Sequence, residues 1–333
     1  MPIRDVSDKP RIGIRATNTR PIQGPDSRCT QHDDPYKQYQ AELIEAGLLI
    51  PSGVRGVYGR SGTFENIIDQ FEGLVTREGA FQNAEVMRFP PIFPRAHYAR
   101  IDHINNFPDL MGSVHSFLGG EKEHQAMLGK FEAKEDWTSS LSPAEVMLVP
   151  AACYPLYPTA TGTLSAQGRV VDLKTFVFRH EPSDDPARMQ IFRQREFVRL
   201  GTPDQALNHR NDWLARGQAI LESVGLPVKK VLADDPFFGR GARIMKATQR
   251  EQDLKYELVV PICKEDKPTA ITSCNYHLDH FGISFDILQA DGTPAHTACI
   301  GFGLERIALA LLKTHGFDPK RWPHEVRQQL AMA

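Results

Sequence analysis

Three stretches carry residues whose types and spacing could do chemistry. The first is Phe178-Arg179-His180-Glu181, a polar loop Pro182 to Ala187, and then Arg188-Met189-Gln190-Ile191-Phe192-Arg193-Gln194-Arg195-Glu196. It reads as two strands joined by a loop, and an Arg and a Glu two residues apart on a strand point the same way. An arginine fork there can clamp a phosphate and a carboxylate can accept from an amino group; a solvated hairpin with ion pairs needs the same residues. The second is Cys299-Ile300-Gly301-Phe302-Gly303-Leu304-Glu305-Arg306, running into the apolar helix Ile307 to Leu312. Alternating small residues admit a ligand or another backbone, and Arg306 falls in a first helical turn, beside N–H groups that favour anions. Close packing at a strand-to-helix turn would also explain the small residues. The third is a set of thiols and imidazoles: Cys153 in Pro150-Ala-Ala-Cys-Tyr-Pro, Cys299, and His277-Leu-Asp-His280. Cys263 and Cys274 read as small buried hydrophobes. The His277/His280 pair lacks the helical spacing of metallopeptidases, so hydrogen-bonded histidines are the better reading.

These residues need a frame. The chain has 333 residues with a formal charge of −2 and 41% hydrophobic residues, enough for a large core. A near-neutral balance argues against holding long nucleic acid by bulk charge, and no apolar run approaches the roughly 20 residues that span a bilayer. The start MPIRDVSDKP lacks the apolar stretch of a secretory signal, and five cysteines make no disulfide framework; a cytoplasmic protein with reduced thiols is expected. Residues 1–35 read as a flexible tail. Helical spacing marks Tyr36–Ala46, Thr63–Gly79, two segments within 103–135, Pro203–Val224 and Leu304–Thr314. Strand patterns mark the run from Ala84 into Pro90-Pro91, then Arg169–Phe178, Glu196–Leu200, Val228–Leu232, Tyr256–Ile262, Ala270–His277 and Gly282–Leu288, the last two as a meander. A hairpin turn falls at Ala290-Asp291-Gly292. Helices before, within and after a strand-rich middle predict an α+β fold on an antiparallel sheet.

Taken in order, the motifs resemble those of the class II aminoacyl-tRNA synthetases. Arg179, Glu181, Arg188, Phe192 and Glu196 match that class's motif 2 (about 176–200). Cys299, Gly301, Gly303, Glu305 and Arg306 match motif 3 (about 299–314), and 63–91 looks like motif 1, which forms the dimer interface. The resemblance covers about 50–315 within a catalytic domain of 36–333, and implies an antiparallel sheet flanked by helices. It also implies ATP with Mg²⁺: Arg179 on the α-phosphate, Glu181 on the adenine amine, Arg188-Met189 against the nucleotide, and Arg306 at the γ-phosphate side. Thr269–Asn275 resembles the strand before motif 3 in seryl-tRNA synthetases, with Ala270 where that pattern has a magnesium-binding Glu. Ala270, Ile271, Thr272 and Ser273 would serve ATP through backbone and hydroxyls.

Cys153, Glu196 and Cys299 are similar to the zinc set with which the atypical seryl-tRNA synthetases of methanogens hold an amino group. One Zn²⁺ per subunit is therefore expected, with Glu196 also facing the amino acid. Without a large tRNA-binding region, the chain resembles the amino acid:[carrier protein] ligases. They adenylate a small amino acid and pass it to the phosphopantetheine thiol of an acyl-carrier-type protein. Glycine is the first expectation and alanine the second, in a homodimer with no tRNA and no membrane. Carrier docking would use Lys229-Lys230 or Arg240 and Arg243. A small seryl-type tRNA ligase and a non-catalytic synthetase paralogue acting as a binding module are the alternatives.

Overall fold

The computed structural model of the chain describes residues 34–235 and 252–332. Arg240, Arg243 and nearly all of the tail expected over 1–35 lie outside the described residues. The chain divides between Asp33 and Asp34, and the sheets and helices of the described residues belong to the second unit, Asp34–Ala333.

The β-branched and aromatic runs form the main sheet among the described residues. Its strands in chain order are β1 Glu85–Met87, β2 Arg169–Phe178, β3 Ile191–Gly201, β4 Lys229–Leu232, β5 Lys255–Val260, β6 Thr269–Tyr276 and β7 His296–Gly303. Across the sheet the order is β4-β5-β6-β7-β3-β2-β1. Each neighbouring pair is antiparallel except β1 with β2, which run parallel at the edge. Among the helices are α1 Pro35–Glu45, α2 Gly62–Gly79, α3 Pro203–Ser223 and α4 Leu304–His315. Local chemistry sets their starts: Ser61 caps α2, while Thr202 and Gln205 close a capping box on α3 with Pro203 in its first turn. No helix among the described residues is long and apolar enough to cross a membrane.

The pleat sorts the central strands into two faces. On β3 the odd residues meet the helices: Phe197 stacks on Trp213 of α3 at 4.4 Å between centroids, and Arg195 donates to the Glu72 carbonyl of α2 at 2.8 Å. On β7, Phe302 packs edge-on against Phe71 and Trp213. The helix layer lies so close that a Cβ on Gly217 would sit 2.8 Å from Ile300 Cδ1. By the period of two, Gln194, Glu196, Cys299 and Gly301 point to the opposite face.

Two expectations fail. Of residues 282–288 only Ile287–Leu288 is strand, paired in parallel with Gly162–Thr163, while His280–Phe285 is a helix, bounded by left-handed Leu278 and Asp286. Phe281, Ile283, Phe285 and Ile287 alternate as in a strand. However, Phe281 and Phe285 stand four apart on one helical face, both against Tyr157, while Ile283 is 61% exposed. No meander forms, and β6 pairs with β5 and β7 instead. The turn at 290–292 is present, with Gly292 at φ +85 and Leu288 bridged to Pro294. The stretch 103–135 holds the helices His103–Asn106 and Glu121–Glu132, but also Ser113–Ser116, which pairs with Ser142–Leu148 beside Ile92–Pro94 in a three-stranded sheet.

Candidate functional site

A cavity of about 700 Å³ opens on the sheet face away from α2, α3 and α4, and Arg179, Glu181, Glu196, Cys299 and Arg306 line it together. At one end, ligand atoms of Cys153, Glu196 and Cys299 all lie within 4.8 Å of one another. Two elements of the sheet and one loop make this meeting. Glu196 and Gly301 are cross-strand partners on β3 and β7, with Cys299 two residues along the same face. Cys153 enters from the loop before a 3₁₀ segment, Tyr154–Ala160, and the Ala152 N–H fastens that loop by donating to Glu196 Oε1 at 3.1 Å.

The three groups are buried. Glu196 Oε2 has no hydrogen-bond partner among the described residues, an expensive state for a buried carboxylate. Burial, then the charge of Cys299, pushes the Glu196 carboxyl well above the usual range. The neighbouring Cys153 thiol holds Cys299 well below an ordinary thiol, and Cys299 in turn raises Cys153 well above one. Two sulfurs and an orphaned carboxylate oxygen are a donor set that a divalent cation satisfies, and it would deprotonate both thiols outright.

The other end is cationic. The Arg179 and Arg306 guanidiniums both lie 5.7 Å from the Phe192 ring centroid. Arg179 Nε donates to the Pro150 carbonyl at 3.1 Å; Arg306 donates to Ala187 O at 2.8 Å and Ala270 O at 2.9 Å. Burial, reinforced by Arg179 and Arg188, lowers Arg306 to about 10. Arginines gathered this way make a site for a polyanion. Arg188 and Glu181 are ion-paired at 2.9 Å at the rim.

Not every expected residue arrives. Ala270, Ile271, Thr272 and Ser273 line the cavity. Thr272 pairs with Leu258 and Phe302, and so its side chain turns to the helix face, where the hydroxyl is buried without a partner among the described residues. Met189 is buried in the core and does not line the cavity. Lys229 and Lys230 stand on the exposed edge strand β4.

The sequence left three features unread or, for His277, read as a hydrogen-bonded histidine without its partner. Asn275 donates to Cys299 Sγ at 3.5 Å, and His277 Nε2 lies 3.7 Å from the same sulfur; stepping by two from Ser273 reaches Asn275 on β6 and His277 just past its end. Lys255, buried and paired with Asp235 and Glu257, closes the far wall. His103 is buried behind Tyr154 with both ring nitrogens unpartnered among the described residues. Burial and then the Arg179 charge lower it to about 4.

No family model matches the chain. It is 44% identical over 283 residues to amino acid–[acyl-carrier-protein] ligase 2 of Bradyrhizobium diazoefficiens, covering 84% of both chains. With ligase 1 of the same organism it shares 43% identity over 84% of this chain and 86% of that one. The type-2 serine–tRNA ligase of Methanopyrus kandleri is 25% identical over 80% of this chain and 54% of its own length. Among solved structures, the M. kandleri seryl-tRNA synthetase in complex with A. aeolicus tRNASec superposes with a TM-score of 0.76 at 22% identity, over 92% of this chain and 62% of that one. The cytoplasmic serine–tRNA ligase of Naegleria fowleri in complex with AMP gives 0.66 at 12%, over 89% and 66%. The fold is that of the class II aminoacyl-tRNA synthetases.

Proposed function

This chain belongs to the amino acid–[acyl-carrier-protein] ligases, and from that premise we propose that it activates glycine first and alanine second. The reaction forms an aminoacyl-adenylate from ATP with Mg²⁺ and passes the acyl group to a phosphopantetheine thiol. The observation that carries this reading is that one cavity has the Cys153–Glu196–Cys299 cluster at one end and Arg179 with Arg306 at the other.

Cys153, Glu196 and Cys299 would hold one Zn²⁺ per subunit, which supplies a Lewis-acid anchor for a substrate amino group. Anchoring at one end and clamping at the other is a proximity effect. Arg179 holds the α-phosphate and stabilises the charge that builds there as the amino-acid carboxylate attacks and pyrophosphate leaves. Arg306, fixed by two carbonyls, takes the γ-phosphate side. Glu181 exchanges its ion pair with Arg188 for the adenine amine, and Arg188 turns to the nucleotide. Ala270, Ile271, Thr272 and Ser273 bound the ATP pocket, Thr272 with its hydroxyl turned to the helix face. In the second step the carrier thiolate attacks the carbonyl and AMP leaves, so the thioester forms without an enzyme nucleophile. One methyl in such a pocket is worth only about 1–3 kcal/mol, which ranks alanine second.

Lys229 and Lys230 suit an acidic carrier, and the 63–91 segment, with β1 at the sheet edge, suits a homodimer; charge reversal of both lysines and sedimentation test these. The function is tested by amino-acid-dependent ATP–pyrophosphate exchange across the twenty amino acids, followed by transfer to holo-carrier protein or tRNA. Exchange with glycine and transfer to the carrier alone are expected. Transfer to tRNA would establish a tRNA ligase, and no exchange would leave a binding module.

A further inference from the structure

His277 is a histidine that the proposed reaction leaves without a task, yet it is held from three sides at the cation end of the cavity. Its backbone N–H donates to the Thr297 carbonyl at 2.9 Å. Its Nδ1 lies 3.0 Å from Thr297 Oγ1, and Nε2 lies 3.7 Å from Cys299 Sγ. The ring also meets Phe281 edge-on at 5.1 Å. Thr297 is fully buried and stands two residues from Cys299 on β7, so the hydroxyl, imidazole and thiol follow one side of the strand.

The tautomer follows from the sulfur. A lone pair on Nε2 facing a thiolate would repel it, whereas an N–H there is attracted. With the proton on Nε2, Nδ1 becomes an acceptor and receives a hydrogen bond from the Thr297 hydroxyl. Cys299 then receives N–H bonds from both Asn275 and His277. The ligand atoms of Cys153, Glu196 and Cys299 cluster without His277, which separates a donor to the sulfur from a fourth ligand.

We propose that His277, set by Thr297, is a positioning residue that donates its Nε2–H to the Cys299 sulfur and so orients that thiolate toward the cation. The inference rests on the cation reading of the Cys153–Glu196–Cys299 cluster. A hydrogen bond to a ligating thiolate fixes its direction and withdraws charge from sulfur, leaving the cation a better acceptor for an amino nitrogen. Loss of such a partner typically costs about 10–100-fold in metal affinity.

The test uses the full-length protein loaded with Co²⁺, comparing wild type with His277→Leu, His277→Gln and Thr297→Val. Cobalt affinity is read by chelator competition, and the thiolate-to-cobalt charge-transfer band by absorption. His277→Leu is expected to lose about tenfold or more in affinity and to move the band to longer wavelength, because an unbonded sulfur gives up charge more easily. His277→Gln, which keeps an N–H donor, should restore both, and Thr297→Val should fall between. If His277→Leu fails to fold, Gln and Val still decide the matter. Affinity and band unchanged in His277→Leu, or in Thr297→Val where His277→Leu does not fold, would overturn the inference, as would an imidazole nitrogen bound to cobalt in the X-ray absorption of wild type. A wild-type protein that bound no cobalt would overturn the cation reading itself.

Discussion

Arg195 and Glu196 are neighbours on β3, both buried, and they face opposite sides of the sheet. On the helix side Arg195 is satisfied: Nε and Nη2 meet Asp172 at 3.2 and 2.6 Å, and Nη1 donates to Glu72 O and Thr76 Oγ1. On the cavity side Glu196 takes one N–H, from Ala152, and leaves Oε2 unpartnered among the described residues. The same contrast separates two histidines. His209 on α3 is bonded at both ring nitrogens, to Gln82 and to the Phe197 carbonyl, while His103 behind the cavity is bonded at neither among the described residues. The fully partnered Arg195 and His209 serve the fold, whereas the Glu196 carboxylate, kept dry and half-partnered beside two thiols, stands where a cation would satisfy it.

The strongest way to break this comparison is Asp172→Ala. It leaves the Arg195 charge buried and unpaired, and should destabilise the protein by about 3–5 kcal/mol in chemical denaturation. A loss under about 1 kcal/mol, the scale of an exposed pair, would mean that the helix face is not carried by this pair. Next comes Glu196→Gln, which should leave stability of the metal-free protein unchanged or higher, since it removes a buried carboxylate. Glycine-dependent pyrophosphate exchange should fall by about a hundredfold or more; lower stability with intact exchange would reverse the assignment of the two faces.

A third prediction concerns acid. Burial lowers both His103 and His209 to about 4, against about 6.5 in the unfolded chain. The unfolded state therefore binds more protons between these values. The stability that these neutral rings contribute is complete above about pH 6.5 and is lost as pH falls toward about 4, by up to about 1.4 kcal/mol per pH unit for each ring. His209→Gln should flatten the fall in denaturation midpoints as the buffer is taken from neutral to acid; an unchanged slope would exclude His209 as a source. The smallest effect expected is from Thr272→Val. Removing a buried hydroxyl without a partner should raise stability by about 1 kcal/mol and leave the KM for ATP unchanged, whereas a raised KM would bring that hydroxyl to the nucleotide.

Much of this division was legible in the residues. Arg169–Phe178 and the helical spacings at 63–79, 203–224 and 304–314 announced the sheet and its cover, because strong periodicity leaves little choice. The motif residues from Arg179 to Arg306 announced the cavity. Register was not legible. Whether Thr272 or Ser273 faces the cavity depends on which residue of β7 lies opposite, and His277 meets Cys299 only once β6 and β7 are aligned. Residues 282–288 misled because aromatic residues four apart on a helix also alternate in sequence, and tertiary packing on Tyr157 selected the helix. The strand at Ser113–Ser116 was hidden by its polar composition, since its partner Ser142–Leu148 supplies the apolar residues.

The most direct test of the account is glycine-dependent ATP–pyrophosphate exchange in chelator-stripped protein, repeated as Zn²⁺ is returned. The account predicts no exchange in the stripped protein and full recovery at one Zn²⁺ per chain, with no recovery in Cys299→Ala. Full exchange in protein free of metal would contradict it, because the orphaned carboxylate and its two sulfurs would then hold nothing that the reaction needs.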